Sequence, residues 1–264
     1  MIRLLKIELN KVLYYKIFWV IFGLYLILLA PTAYAFESIL KSVTTGDGSG
    51  STPARIILQN YSIFNFPSIW HNISYLFGWF QLFLAIIIVS LVTNEYNFKT
   101  LSQNIADGMS KWEIIWAKEL VILVLSIISV CMLILLTIML GKKIEGTNIF
   151  EGTNVVFAYF ITLVLFLNFA YFVSSWLKKS GFAIGVILLY GIVEKIVSLK
   201  LPESVSQLLP MNLINNIIPN PFGAFLGKNV SCDLSFLNIS MCVFYITLFI
   251  CTNYWMLVRG HAGK

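Results

Sequence analysis

Few side chains in this sequence are of the types that do covalent or metal chemistry, and their spacing limits what they can do together. The histidines are His71 and His261. A zinc site or an imidazole-based catalytic pair needs such groups within a few ångströms of each other. These two lie far apart in sequence and, on the topology below, on opposite faces of a membrane. The stretch Gly223-Ala-Phe-Leu-Gly-Lys-Asn229 glances at a phosphate-binding loop. It has three residues between its glycines where four are needed, and it ends in Asn where Ser or Thr would hold the metal. No catalytic residue, cofactor site or metal site is therefore assigned to this chain, which is expected to hydrolyse no ATP by itself.

The other reactive groups read blandly. Cys131, Cys242 and Cys251 sit inside apolar runs and Cys232 stands alone in a loop, a pattern of small buried thiols and not of a disulfide framework. Three Asn-x-Ser triplets begin at Asn72, Asn229 and Asn238, but triplets this short arise by chance.

The elements that would position any site are set by composition. Of 264 residues 59% are hydrophobic and 11% charged, with a mean hydropathy of +0.86. Soluble domains carry about 25% charged residues, so this chain cannot cover a soluble surface. Apolar runs long enough to cross a hydrocarbon core of about 30 Å recur along it. Six spans are expected, at 17–36, 74–93, 120–140, 153–177, 181–193 with the residues just after it, and 237–258. The first run is too long for a cleavable signal, and more spans follow it. The whole chain, 1–264, reads as one transmembrane domain.

An even number of spans puts both termini on one side, and Lys and Arg decide which. Eleven of the 18 fall on the side of the termini and seven on the other. The eleven come from much shorter segments. Both termini are expected in the cytoplasm of a cell (inner) membrane, and the net charge of +6 needs no nucleic acid to explain it. At the limits above, no span contains Asp, Glu, Lys, Arg or His. Pumps, ion-coupled carriers and intramembrane hydrolases keep ionisable groups at depth for a purpose, so energy for uphill movement would enter from elsewhere. Glu194 and Lys195 come nearest, as a snorkelling or paired terminus of the fifth span.

Residues 1–16 place Ile2, Leu5, Leu9, Val12 and Leu13 on one helical face beside Arg3, Lys6 and Asn10. That suits a helix in the headgroup region or a ragged start to the first span. The first outer loop, 37–73, holds the flexible tract TTGDGSGSTP and then IFNFPSIWHN, whose aromatics suit an interface belt. The outer segment 194–236 has four prolines around a stretch too apolar for a solvated loop. Short re-entrant or interfacial helices fit it, because irregular backbone at membrane depth must be buried in protein.

The segment 94–112 is polar and well punctuated. Phe98, Leu101, Ile105 and Met109 recur at steps of three and four, one face of a short helix. Gly108 ends it. Ser110-Lys-Trp-Glu113 is a capping box that opens the helix of the third span. The stripe suits either a docking helix for a cytoplasmic partner or a hairpin resting on the protein's own underside.

Glu95, Thr100, Gly108, Ser110-Lys111 and Lys118 resemble the E…T…G…S(K/R)…K segment of permease subunits of type-2 ABC transporters. The basic interfacial helix, six spans, large first outer loop and broken helices before the last span agree with it. The likeness covers essentially the whole chain, which looks especially like small permeases of bacterial antibiotic-resistance and bacteriocin-immunity exporters whose ATPase is a separate chain. It implies an all-α polytopic fold with an N-terminal interfacial helix, a cytoplasmic coupling helix and re-entrant outer helices. It implies two nucleotide-binding ATPase subunits that hold ATP and Mg, and a second permease copy or paralogue. Glu95, Phe98, Thr100, Leu101, Ile105, Gly108, Met109, Ser110 and Lys111 would then meet the ATPase. Pro210, Asn212, Asn215, Pro219 and Pro221, within broken helices at 201–226, would form an outer gate. The readings from other classes are a non-transporting membrane scaffold or sensor subunit, and an ATP-independent carrier or channel, which the charge-free spans disfavour.

Overall fold

The computed structural model of the chain describes residues 8, 10–45, 64–142, 148–221, 232 and 234–260. The TTGDGSGSTP tract and the stretch 223–229 lie outside the described residues, as do most of residues 1–9. Among the described residues the structure is helical, with a single isolated β-bridge between Asn65 and Lys142. The helices are α1 (Lys16–Thr45), α2 (Ser68–Asn97), α3 (Thr100–Ala106), α4 (Lys111–Leu140), α5 (Asn154–Leu177), α6 (Ser180–Ser198), α7 (Glu203–Ser206), α8 (Pro210–Ile217) and α9 (Phe236–Gly260). Six of them (α1, α2, α4, α5, α6 and α9) are long and apolar enough to cross a membrane.

Several helices outrun the expected spans. At 30 residues each, α2 and α4 are about 45 Å long, well over a hydrocarbon core of about 30 Å. The excess carries the ionisable groups that the apolar windows omit: His71 and Glu95 in α2, Lys118 and Glu119 in α4, Glu194 and Lys195 in α6. The charge-free reading of the six spans thus holds for their apolar middles and not for the whole helices.

Helix α5 is the hub, packing on α2, α4, α6 and α9. Helices in lipid gain little from apolar burial against each other, so close fit and polar ties hold them. Here Ala158 and Ala170 of α5 are wholly buried, and a chain of hydroxyls crosses the bundle. Ser129 Oγ of α4 lies 2.7 Å from Tyr25 of α1 and 2.7 Å from Tyr159 of α5.

The aromatics of the stretch before α2 are inside the protein and form no belt. Phe64, Phe66 and Trp70 are buried, and the Trp70 indole donates to the Ile149 carbonyl at 2.7 Å. A Cβ on Gly141 would overlap the Phe66 ring, so that glycine is what lets the α4 terminus meet this stretch. Of the three cysteines in apolar runs only Cys242 is buried by protein, while Cys131 and Cys251 are exposed on the bundle's surface.

The last turns of α2, α5 and α9 and the first of α4 share one end of the bundle with α3. The Lys178 ammonium sits over the Tyr96 ring at 5.3 Å. Trp112 stacks on Tyr254 with centroids 4.2 Å apart. Leu257 packs with Leu101, Ile114 and Ile115. Helices α7 and α8 follow α6 at the far end.

Candidate functional site

At its N-terminal side α3 is reached through a sharp elbow. The α2 helix closes on Phe98, and Lys99 then takes a left-handed conformation, φ 56°. Lys99 is not glycine, so this conformation costs roughly 1–2 kcal/mol, and the packing of α3 has to offset it. After α3, Gly108 at φ 93° turns the chain, and its N–H donates to the Ile105 carbonyl. The Ser110 hydroxyl then accepts from Glu113 N at 3.3 Å while Ser110 N donates to the Glu113 carboxylate at 2.8 Å. The expected capping box is therefore present in both halves and starts α4.

The apolar stripe faces inward. Leu101 is 5% exposed and packs with Ile114, Ile115 and Leu257, and Ile105 and Met109 rest against the same cluster. Of the two sequence readings of the stripe, the one in which it lies on the protein's own underside is realised. Phe98 does not share it. It caps α2, lies before α3 begins, and is 70% exposed. The outward side of the elbow and of α3 consists of Phe98, Lys99, Ser102, Gln103, Ala106 and Asp107. Thr100 and Lys111, the first residues of α3 and α4, are half-buried, and Gly108 and Ser110 are exposed.

Glu95 is buried. Its carboxylate accepts from Lys118 at 2.6 Å and from Lys11 at 2.9 Å. Both ammoniums also reach Glu8, Lys11 at 2.6 Å and Lys118 in a very short contact. Two carboxylates and two ammoniums thus balance, and they join the N-terminal helical residues, the end of α2 and the start of α4. Burial alone would push the Glu8 carboxyl up. The Lys118 and Lys11 ammoniums outweigh that and hold it below the ordinary value. For Lys11 burial would lower the ammonium, and Glu95 and Glu8 raise it instead. The sequence reading linked Glu95 and Lys118 only through a family pattern and missed Glu8 and Lys11. Next to Lys118 in sequence, Glu119 Oε1 is buried without a hydrogen-bond partner among the described residues, as is Asn168 Oδ1 of α5.

At the far end Glu194 is neither snorkelling nor paired with Lys195. It is buried, and its carboxylate oxygens accept from Asn212 N at 2.7 Å and Met211 N at 3.2 Å. A carboxylate at a helix N-terminus satisfies orphan N–H groups and complements the dipole, so Glu194 fastens α8 to α6. Pro210, the first residue of α8, is buried, and so is Pro221. The Asn212 amide donates to the Ser206 carbonyl at 3.0 Å. The Pro219 carbonyl lies 2.7 Å from His71 Nε2. Asn212 and Asn215 line a cavity against α2, α5 and α6. Short helices in this segment were expected. Residues 222–231 and 233 of it lie outside the described residues.

Among the described residues no cluster of His, Cys, Asp and Glu could hold a metal ion. A family model described as Protein of unknown function (DUF2705) matches residues 56–259. No curated protein and no solved structure matches the chain.

Proposed function

We propose, for a chain that belongs to the DUF2705 family of proteins of unknown function, that it is the membrane-spanning permease subunit of an ATP-driven type-2 ABC exporter. In this reading ATP and Mg are bound by two separate cytoplasmic ATPase subunits, and a second permease copy or paralogue completes the pathway.

One observation carries the proposal. A short surface helix, α3, is rigidly fastened underneath while its outer side is free. A lever must not bend where it is pushed. Leu101 seats α3 on α4 and α9, and the Glu8–Lys11–Glu95–Lys118 quartet locks the end of α2 to the start of α4. A push on α3 would therefore move α2 and α4 together instead of being absorbed at the Lys99 elbow. The surface offered to an ATPase cleft is the outward one, with Phe98 as its exposed aromatic anchor. Aromatics in that position often dominate binding energy. The roles expected of Leu101, Ile105, Met109 and Glu95 shift accordingly, from touching the partner to holding the lever.

The test is co-expression of the chain with the ATPase encoded beside it, followed by affinity capture from detergent. Phe98→Asp should leave permease yield and melting temperature near wild type while lowering the retained ATPase by on the order of tenfold or more. Retention of the ATPase at the wild-type level would overturn the proposal, as would ATP hydrolysis by the isolated chain.

A further inference from the structure

We propose that the cavity at the end of the bundle opposite α3 is a binding site for a phosphate group of net negative charge, unlike the zwitterionic head group of phosphatidylcholine. It stands apart from the coupling reading and requires no ATPase. The cavity measures about 570 Å³ and opens between α2, α5, α6 and α8, within the size range of small-ligand pockets.

Its lining has one sign of charge. Lys195 is the cation, and no Asp or Glu lines the cavity. Lys195 has no ion-pair partner among the described residues. The adjacent Glu194 forms no ion pair with it and turns both of its oxygens to the first N–H groups of α8. The remaining polar lining consists of neutral donors, chiefly Gln81, Asn212, Asn215 and the Ser74 hydroxyl. Ser74 is 0% exposed, and its Oγ has no hydrogen-bond partner among the described residues. A buried hydroxyl in that state costs roughly 1–3 kcal/mol.

This set rejects cations, for want of a carboxylate, and uncharged ligands leave the ammonium unused. It offers more donors than the two oxygens of a carboxylate engage; free phosphate and a phosphomonoester present at least three strong acceptor oxygens, and a phosphodiester adds its ester oxygens to two strong ones. Trp79 and Tyr75, edge to face at 6.4 Å, also line the cavity, and Trp79 is largely exposed. An aromatic in that place can flank an acyl chain, so the same phosphate chemistry could arrive on a membrane amphiphile or free in water.

The experiment uses the full chain in phosphatidylcholine nanodiscs and follows tryptophan fluorescence. One arm titrates inorganic phosphate at constant ionic strength against chloride, and the other raises the phosphatidylglycerol content of the disc. A saturable change in either arm is expected, absent in Trp79→Phe. It should be weakened on the order of tenfold in Lys195→Gln, as loss of a charge-assisted hydrogen bond predicts. Lys195 is exposed, so this substitution leaves the packing intact. Lys200→Gln removes an exposed cation nearby that does not line the cavity, and should titrate as wild type. Saturation by phosphate identifies a free anion as sufficient, and saturation by phosphatidylglycerol alone identifies a membrane amphiphile. Saturation in neither arm would overturn the site. So would Lys195→Gln titrating as wild type, or Lys200→Gln weakening as much as Lys195→Gln.

Discussion

Lys118 is the residue on which the α3 end turns. Its ammonium is buried against Glu8 and Glu95, so each partner lost leaves charge without compensation. Breaking a buried pair by removing one member typically costs ~3–5 kcal/mol. Lys118→Ala should therefore lower the yield of folded protein more than Lys11→Ala, whose side chain is part-exposed. The quartet also sets a pH window. Glu8 titrates below its ordinary value, so its contribution is present above that value and is lost as pH falls through the lowered one. Lys11 titrates above its ordinary value, so its contribution is present below that value and is lost as pH rises through the raised one. In detergent the melting temperature should hold across neutral pH and fall on the acid side, below about pH 4. Glu8→Gln should start lower at neutral pH and show a shallower acid fall. An acid limb identical to wild type in Glu8→Gln would mean that other carboxylates set it.

At the scale of the element, α3 shows how a stripe can be legible while its partner is not. Steps of three and four say that Leu101, Ile105 and Met109 are covered, and they are. Periodicity does not say by what, because a partner's cleft and the protein's own underside ask for the same side chains. Leu101→Asp separates the two. Buried among Ile114, Ile115 and Leu257, the carboxylate would be unpaired, and the variant should lose several kcal/mol of stability with or without an ATPase present. Normal melting of Leu101→Asp would contradict the packing described for α3. Where information is local the sequence was readable: the Ser110–Glu113 box and the Gly108 turn act over three residues. The ion quartet was not, because Lys118 meets Glu8 across 110 residues of chain. The cavity was not either, since Ser74, Thr162, Lys195 and Asn212 come from four helices. No short pattern marks such a meeting. The aromatics ahead of α2 misled for a related reason. A belt and a core both want Phe and Trp, and here the chain folds back on Gly141 and buries them.

For the whole molecule the remaining question is which way it faces. The six long helices put α3 and the ends of α2, α5 and α9 at one end. At the other lie the α4–α5 connection and α8. Lys and Arg concentrate in the short segments of the α3 end, the pattern that keeps loops in the cytoplasm. The proposed push from a cytoplasmic ATPase depends on this orientation, which also decides the face from which the Lys195 cavity is reached. It can be tested without knowing any ligand. With the four native cysteines replaced (Cys242 by Ala, since it is buried), single cysteines are placed at two exposed positions, Gln103 on α3 and Asn148 in the α4–α5 connection. A membrane-impermeant maleimide added to intact cells should label Asn148→Cys and leave Gln103→Cys untouched until the cells are opened. The reverse pattern would invert the molecule, leaving α3 with no access to a cytoplasmic ATPase and the Lys195 cavity facing the cytoplasm. Labelling of both in intact cells would mean that the stretch between them crosses the membrane an even number of times, and α4 could not then be a span.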